Sequence, residues 1–319
     1  MLNNYKMHPS YLSAFREGIL QIRAKEADLM LESCNICPRQ CKVNRLNNKL
    51  GFCKTGPRPR VYSFMPHHGE EPPISGSRGS GTIFFSFCNM NCCYCQNYQF
   101  SQLAEGREVE IEELADFMLQ LQELGCHNIN LVTPTHIMPQ ILAALILAIP
   151  KGLKIPLVYN TSGYELTESI ALLDGIVDIY LLDMRYADSA MGVKYSDARD
   201  YPRYNQEAAK VMHRQVGIAS IDNSGIIKRG LIIRHLVLPN NISGTPKIMK
   251  FIAEELSPDT YISLMSQYFP CYEAPRIKEI ARRLTEEEYE RAQDIMHQYG
   301  LYNGWTQDVG GVERTDYGP

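Results

Sequence analysis

The chain has 319 residues, enough for one large domain or two small ones. Hydrophobic residues make up 45% and charged residues 21%, a globular composition that argues against disorder. With 32 basic and 36 acidic residues the net charge is −4, which gives no reason to expect a nucleic-acid partner. The longest apolar run, residues 141–149, is shorter than the roughly 20 residues of a bilayer span, and the chain start lacks the apolar block of a secretory signal. We therefore predict a cytoplasmic protein that does not enter a membrane.

The first part of the chain predicts a helix followed by a metal-binding segment. Residues 9–32 place Leu12, Phe15 and Ile19 at helical spacing. The cysteine-rich stretch that follows is polar and can bury little surface, so something other than a hydrophobic core must order it. A stretch rich in Pro, Gly and Ser at residues 67–81 then indicates a boundary.

Six strand–helix units follow and predict an α/β fold. Apolar strand-like runs alternate with helical patterns, which favours a parallel sheet with helices outside it. Right-handed crossovers allow a barrel or a doubly wound sheet, and no GxGxxG motif follows the first strand, which weakens the dinucleotide-binding alternative. The predicted strands are residues 82–87, 128–133, 155–160, 177–183, 231–238 and 260–266. The predicted helices are residues 111–124, 138–149, 165–173, 205–216, 246–256 and 286–299.

Two connections between these elements carry their own predictions. Residues 218–230 contain an Asp-Asn-Ser-Gly turn and predict a small hairpin before the fifth strand. Residues 188–204 are rich in Tyr and Asp and are predicted to form a long loop, a candidate substrate-facing segment. We divide the chain into residues 1–75, a helix plus a Cys-rich metal-binding extension; residues 76–270, the core; and residues 271–319, a C-terminal helix and tail packing on the core.

Cysteine is the most informative residue type in this chain. Ten cysteines are too few for a disulfide scaffold, and clusters of them in an intracellular protein indicate metal or redox chemistry. Cys88, Cys92 and Cys95 follow the first predicted strand as C-x3-C-x2-C and can direct three thiolates at one compact metal centre. A cubic iron–sulfur cluster takes four cysteines, so three leave one iron open. The alternatives are a C-x4-C-x1-C set that uses Cys93, a zinc knuckle, and packed free thiols.

This motif, with an aromatic residue before its last cysteine, resembles the radical S-adenosylmethionine (SAM) superfamily. The resemblance implies a partial (β/α)6 barrel of the TIM type and a [4Fe-4S] cluster on Cys88, Cys92 and Cys95. It also implies that the open iron chelates the amino and carboxylate groups of SAM, whose reductive cleavage yields a 5′-deoxyadenosyl radical that abstracts hydrogen. Tyr94 occupies the position that lies against the adenine in the family. An electron donor such as flavodoxin or ferredoxin is implied as a partner.

A narrower resemblance is carried by sequence blocks between His67 and Gln307, including HHGEEPPISGSRGSG, DIYLLDMRYAD and NGWTQ. They look like the radical SAM subgroup related to pyruvate formate-lyase activating enzymes, which also has an amino-terminal cysteine segment. The resemblance implies a protein or peptide substrate. Glycyl-radical activases usually carry Gly-Gly-Glu at the end of the second strand, whereas this chain has Thr-Pro-Thr-His at residues 133–136. This difference weakens the transfer of activase function but not of SAM binding.

Polar residues end each predicted strand, where the loops of a barrel converge on one mouth. By resemblance, the second-strand residues meet the SAM amino group, and the third- and fourth-strand residues meet the ribose and carboxylate. His136 has the alternative of a helix-start histidine bonded to a backbone carbonyl, and Asp183 that of a loop cap. Arg234 or His235 must face the barrel interior, where a charge needs an anionic partner, either a ligand or a buried Asp. The candidate cofactor-binding residues are Tyr94, Thr133, Thr135, His136, Asn160, Ser162, Asp183, Arg185 and Arg234.

The amino-terminal cysteines supply four thiols, the complement of a structural zinc site or a second iron–sulfur cluster. Metal binding would provide the ordering free energy that this polar segment lacks, on the order of 10 kcal/mol for structural zinc. The alternative is a reduced, metal-free loop. These residues are Cys34, Cys37, Cys41 and Cys53.

Three functions are compatible with these patterns. The leading hypothesis is a radical SAM oxidoreductase of the activating-enzyme kind, with a protein or peptide as candidate substrate. The alternative is a non-catalytic iron–sulfur or zinc binding module that acts as a carrier or scaffold. A radical enzyme that modifies nucleic acid is the third, and the acidic charge balance argues against it.

Overall fold

The computed structural model describes residues 8–307, and its strands form one largely parallel sheet. Residues 1–7 and 308–319, which belong to the first and third predicted segments, lie outside the described residues. The strands are β1 (Arg60–His67), β2 (Ser80–Phe85), β3 (Arg107–Glu108), β4 (Ile129–Val132), β5 (Leu157–Thr161), β6 (Ile179–Asp183), β7 (Ser220–Ile221), β8 (Ile227–Leu236), β9 (Tyr261–Met265) and β10 (Gly304–Thr306).

Helices connect these strands. They are α1 (Ser10–Arg16), α2 (Ile19–Leu29), α3 (Pro72–Ser75), α4 (Tyr98–Ser101), α5 (Ile111–Glu123), α6 (Met138–Ala148), α7 (Thr167–Ala171), α8 (Ser189–Ser196), α9 (Tyr201–Val216), α10 (Thr245–Phe251) and α11 (Glu286–Gln298). A π-helical turn, Ile252–Leu256, continues α10 to the end of the predicted helix at residues 246–256. Among residues 8–307, no helix is both long enough and apolar enough to cross a bilayer.

The sheet runs in the order β10-β9-β8-β6-β5-β4-β2-β1-β3, and β7 pairs with β8. The six predicted strands are β2, β4, β5, β6, β8 and β9, which lie side by side in chain order and are parallel. A doubly wound sheet would reverse its order at a switch point, whereas a barrel keeps it. The two edges do not pair with each other, so the sheet is open. The prediction of a partial (β/α)6 barrel is therefore confirmed.

The two faces of the sheet bury different sets of residues because side chains alternate along each strand. In β6, Tyr180 and Leu182 pack into the main core with the helices. Ile179 and Leu181 point to the opposite face, where they form a second apolar cluster. Asp183 has the same parity as that second pair, so the strand ends in a carboxylate on the interior side.

Two predictions about the first segment need revision. The predicted helix at residues 9–32 is wrong as a single element, because Gly18 adopts a left-handed φ of 76° and separates α1 from α2. Strand β1 was not predicted, and it pairs antiparallel with β2, so the first segment contributes to the sheet of the core. The domain boundary at residue 75 stays a sequence-based prediction.

The predictions for the two connecting segments, residues 218–230 and residues 188–204, have different outcomes. The hairpin predicted at residues 218–230 is confirmed, since β7 and β8 are antiparallel. The long loop predicted at residues 188–204 is wrong, because it contains α8 and the start of α9. Helix α8 begins where the Asp188 carboxylate caps it, accepting hydrogen bonds from the backbone nitrogens of Ala190 (2.7 Å) and Met191 (3.4 Å). The Tyr and Asp residues of this stretch, from which a loop was predicted, instead pack in the core or cap a helix.

Candidate active site at the carboxyl ends of the strands

A cavity of about 740 Å³ opens at the carboxyl ends of the parallel strands. Five of the predicted cofactor-binding residues, which follow or end four different elements, line this cavity together. They are Tyr94, Asn160, Asp183, Arg185 and Arg234. Cys95 lines the cavity as well, so the cysteine loop and the polar strand ends share one site.

The cysteine loop leaves β2 through a sharp turn at Phe87, which has a left-handed φ of 68°. Each of the three predicted ligand sulfurs then receives or shares a hydrogen bond. The backbone nitrogen of Met90 donates to Cys88 Sγ at 3.3 Å, Ser196 Oγ donates to Cys92 Sγ at 3.0 Å, and Cys95 Sγ lies 3.1 Å from Ser101 Oγ. Hydrogen bonds of this kind surround the thiolate ligands of iron–sulfur clusters. The donor set therefore fits a thiolate-bound metal centre.

Burial makes Cys88 and Cys95 weak acids as long as no cation is bound. It raises the pKa of Cys88 to about 12, with the neighbouring Cys92 adding to the effect, and it raises the pKa of Cys95 as well. A bound metal shifts this balance because its positive charge stabilises the thiolates. Within residues 8–307, no three His, Cys, Asp or Glu side chains converge as ligands of a single metal ion. A cubic cluster does not require such convergence, since each cysteine binds a different iron.

Cys93 has different surroundings from Cys92. Its backbone nitrogen donates to the Tyr195 carbonyl and its own carbonyl accepts from Glu273 N, both at 2.9 Å, while its side chain is partly exposed. Cys92 is buried and also lies 3.9 Å from Arg185 Nη1, its second donor. The assignment of Cys92 over Cys93 stays a prediction.

A network of charged side chains forms part of the cavity wall. Asp183 accepts hydrogen bonds from Arg234 Nε at 2.7 Å and Arg185 Nη2 at 2.5 Å. Arg234 also donates to Asn160 Oδ1 at 2.7 Å and contacts Glu70 Oε2 at 3.4 Å. Burial alone would raise the pKa of Asp183, but the two guanidinium groups hold it below its ordinary value. The prediction that either Arg234 or His235 faces the interior is confirmed, since Arg234 lines the cavity and a buried Asp is its partner.

A buried chain of hydroxyl groups connects the cavity to Cys92. Tyr94 and Tyr186 hydroxyls lie 2.5 Å apart, and the Tyr186 hydroxyl lies 2.7 Å from Ser196 Oγ. Ser196 has one proton and donates it to Cys92 Sγ, so the Tyr186 hydroxyl must donate to Ser196 and the Tyr94 hydroxyl to Tyr186. Sequence reasoning missed Tyr186 and Ser196. The sequence signal that could have indicated Tyr186 is its position directly after Arg185, a predicted site residue.

The other four predicted cofactor residues lie outside the described lining of the cavity. Thr133 has a left-handed φ of 59°, and Thr135 Oγ1 donates to Glu165 Oε1 at 2.6 Å. His136 is buried 2.9 Å from the Ser86 carbonyl, the arrangement of its structural alternative, and burial lowers its pKa to about 4. Ser162 is buried among these groups. Their contact with SAM stays a prediction, and Glu165, which sequence reasoning missed, joins them.

The amino-terminal cysteines form an enclosed group beside the cysteine loop. Cys34, Cys37 and Cys53 are buried, and the pKa of Cys37 is raised mainly by burial and further by the two other thiols, which places them near one another. Cys41 is half-buried and its Sγ accepts from Phe52 N at 3.4 Å.

Two arginines accompany this group. Arg39 donates to the Asn89 carbonyl at 2.9 Å and stacks 3.6 Å from the Phe52 ring, so it joins the two cysteine regions. Arg45 is 1% exposed and donates to the Gly56 carbonyl, while its Nε and Nη1 have no partner among the described residues. A buried guanidinium needs a counter-charge, and the nearby Cys53, whose pKa Arg45 lowers against the larger effect of burial, is a candidate thiolate.

Comparison with known proteins identifies the class. The family model described as the radical SAM superfamily matches residues 82–214, which contain the cysteine loop and strands β2 to β6. An uncharacterised protein of Methanocaldococcus jannaschii is 30% identical over 300 residues, which cover 91% of this chain and 82% of that protein. The chain belongs to the radical SAM superfamily. Membership implies a [4Fe-4S] cluster and SAM as cofactors, and an enzymatic function.

Two of the solved structures to which the chain is similar are a methyltransferase and a peptide-bound protein. A radical SAM methyltransferase from Sphaerobacter thermophilus has a TM-score of 0.48 at 15% identity, over 72% of this chain and 67% of that one. SuiB of Streptococcus suis, bound to precursor peptide SuiA, has a TM-score of 0.49 at 12% identity, over 70% of this chain and 47% of that one. At these identities no substrate is transferred to the present chain.

Proposed function

We propose that this protein is a radical SAM enzyme whose [4Fe-4S] cluster is held by Cys88, Cys92 and Cys95. The observation that carries the proposal is the grouping of three hydrogen-bonded cysteine sulfurs with a cavity lined by polar strand ends. When bound, the cluster supplies the electron that cleaves SAM to methionine and a 5′-deoxyadenosyl radical. A carrier or scaffold would not require a 740 Å³ cavity beside its metal, so we favour the enzyme.

The chain's own residues have distinct roles in this proposal. Tyr94 provides an aromatic wall for the adenine, and its hydroxyl is held by Tyr186. Asp183 holds Arg185 through Nη2, which leaves Arg185 Nε without a partner among the described residues. That free donor supports the binding of an anionic group such as the SAM carboxylate. Arg234 keeps Asp183 ionised and holds Asn160 in place.

We also propose that Cys34, Cys37, Cys41 and Cys53 hold a second metal centre, either zinc or an iron–sulfur cluster. The described structure does not bring three of these thiols around one ion, so a zinc ion would draw them closer together, whereas in a cluster each thiolate binds a different iron. The unpaired guanidinium of Arg45 supports this, since four metal-bound thiolates carry negative charge that would offset it. A metal would also order a segment that contributes few apolar side chains. Anaerobic metal analysis of the C88A/C92A/C95A protein distinguishes the two metals.

The substrate proposal rests on the resemblance to activating enzymes. We propose a protein or peptide substrate, hydrogen abstraction by the 5′-deoxyadenosyl radical, and a flavodoxin or ferredoxin as electron donor in the cytoplasm. The most specific form of this proposal is that the protein activates a glycyl-radical enzyme. The Thr-Pro-Thr-His sequence at residues 133–136 is the feature of the chain that departs from it.

The proposal is tested by anaerobic reconstitution followed by dithionite reduction with SAM, with 5′-deoxyadenosine measured by mass spectrometry. We expect wild-type protein to be brown and to produce 5′-deoxyadenosine, and C92A to produce none. C93A is the matched control because it removes a neighbouring cysteine that the proposed ligand set excludes. A colourless, zinc-only protein after iron reconstitution would contradict the proposal, and an active C92A beside an inactive C93A would reassign the ligand.

A further inference from the structure

The segment of residues 68–75, which we call the plug segment, enters the interior of the partial barrel from the amino ends of its strands. It follows β1, whose last residue, His67, pairs with Ser80 at the start of β2. Ile74 is completely buried in the interior apolar cluster, and Asn128 donates to its carbonyl at 2.9 Å. The plug segment therefore forms the floor of the cavity, whereas the cysteine loop lies at its mouth.

Two carboxylates of the plug segment line the cavity, and their surroundings differ. Glu70 contacts Arg234 at 3.4 Å. Glu71 is 8% exposed, and its Oε2 has no hydrogen-bond partner within the part of the chain that the structure describes. A buried, unpaired carboxylate oxygen at a cavity wall is costly unless a ligand supplies the missing donor.

The carboxylates around the cavity outnumber the guanidinium groups. Among its described lining residues, the carboxylates are Glu70, Glu71 and Asp183, the guanidinium groups are Arg185 and Arg234, and two imidazoles, His67 and His68, are the other basic groups. Asp183 is held by both arginines and Glu70 by one, so Glu71 is the carboxylate in excess. Burial raises the pKa of Glu71 above its ordinary range, Arg234 opposes this, and Glu70 and Asp183 add to it. A cationic ligand would remove this penalty.

We propose that Glu71 binds a cationic group of the substrate, a protonated amine or a guanidinium, on the floor of the cavity. The inference rests on the proposed function, because it assigns the substrate side of the same site. Tyr94 and Cys95 lie at the mouth, where the motif places SAM, so the floor is left for the second ligand. Trp305 also lines the cavity, and aromatic rings attract cations. The substrate class is thus a peptide or small molecule that carries a positive charge near the reacting carbon.

The test uses methylguanidinium as the cationic probe and methylurea as its uncharged analogue. Both are titrated by calorimetry into reconstituted, SAM-loaded holoenzyme under anaerobic conditions. We expect methylguanidinium to bind the wild-type protein, E71Q to bind it about tenfold or more weakly, and E71D to fall between them. Methylurea should bind none of the three proteins. E110Q, which neutralises an exposed glutamate outside the cavity, is the matched control and should behave as wild type.

The outcomes distinguish a cationic substrate group from SAM as the ligand of Glu71. Equal binding of methylguanidinium to wild type and E71Q, or no binding to wild type, overturns the inference. A loss of SAM affinity in E71Q with methylguanidinium binding intact would assign Glu71 to SAM and also overturn it. Thermal unfolding of E71Q and E71D verifies that each variant is folded. Dithionite-driven SAM cleavage by wild type is measured in parallel, so that a failure of the radical SAM proposal is seen independently of the probe.

Discussion

The two cysteine regions of this chain use similar residues in different surroundings. Cys88, Cys92 and Cys95 belong to one loop, whose Cys95 lines the cavity, and their sulfurs receive or share hydrogen bonds with three other residues of the chain. The amino-terminal group, with Cys37 and Cys53, is buried beside an unpaired arginine and lines no part of that cavity among the described residues. Catalytic metal sites keep an open position, whereas structural sites are closed. The surroundings, more than the spacing, separate the two regions.

The largest expected effect comes from removing the ligands at the cavity. C88A/C92A/C95A protein should lose the cluster at the mouth and form no 5′-deoxyadenosine, because no thiolates remain to hold the iron. The quadruple variant C34A/C37A/C41A/C53A should still bind a SAM-responsive cluster. Iron content and electron paramagnetic resonance of both proteins check this contrast. The contrast between the two regions would be contradicted if the amino-terminal variant lost its SAM response while the triple variant kept it.

The second effect concerns the stability of the amino-terminal region. C37A should expose the segment of residues 34–53 to proteolysis, because the metal that we propose there would contribute on the order of 10 kcal/mol, as in structural sites. R45M should gain less protection from metal than wild type, because it removes a counter-charge of the bound thiolates, and it should be no more sensitive than wild type once the metal is chelated. Limited proteolysis with and without chelator measures both. C126A, a buried cysteine outside both groups, is the control. Equal protease sensitivity of C37A and C126A would contradict the proposal of a metal site in this region.

The third effect follows from the charged wall of the cavity. D183N should lower the free energy of unfolding by about 3 kcal/mol, the lower end of the range for breaking a buried pair, because it leaves two partly buried guanidinium groups without their shared carboxylate. It should weaken SAM binding too, since Arg185 loses its anchor. D116N breaks an exposed ion pair and should change stability by about 1 kcal/mol or less. Denaturant unfolding of the two variants measures the difference, and equal losses would show that the wall is not a coupled network.

The smallest effect concerns the hydroxyl chain that ends on Cys92. S196A removes one donor to the sulfur, so the thiolate becomes a stronger electron donor and the reduction potential of the cluster should fall. SAM cleavage should decrease about 10-fold, the lower end of the effect of outer hydrogen bonds at metal sites. Y186F should have a smaller effect because it acts through Ser196. S189A, an exposed serine of the same helix, is the control. An unchanged potential in S196A would show that the hydrogen bond does not tune the cluster.

The sequence predicted the parts of the fold whose signal is local. Six apolar runs gave the six central strands, since buried parallel strands are continuous apolar segments. Spacing alone identified the cysteine loop. Strand alternation predicted that either Arg234 or His235 faces the interior, and the structure shows that it is Arg234. Strand β1 was missed because most of its residues are half-buried and it contains a proline, so its pattern resembles a loop. Helix α8 was missed because capping and burial, not amphipathic periodicity, define it.

The missed site residues depend on contacts between distant parts of the chain. Ser196 reaches Cys92 across 104 positions of sequence, which no local pattern can reveal. Glu71 lies in a segment interpreted as a boundary, and its role depends on the plug segment entering the barrel. Arg45 was one basic residue in a polar stretch, and burial distinguishes it from its neighbours. Motif spacing therefore predicts the metal ligands, while tertiary packing determines what surrounds them.

The most direct measurement is electron paramagnetic resonance of the reduced C34A/C37A/C41A/C53A protein, with and without SAM labelled with ¹⁷O in its carboxylate and ¹⁵N in its amino group. Removing the amino-terminal cysteines leaves a single region able to hold a cluster. We predict a [4Fe-4S] signal that shifts on addition of SAM and shows hyperfine coupling to both labels. A cluster signal that is unchanged by SAM, or the absence of any four-iron cluster in this protein, would contradict an open coordination position at Cys88, Cys92 and Cys95.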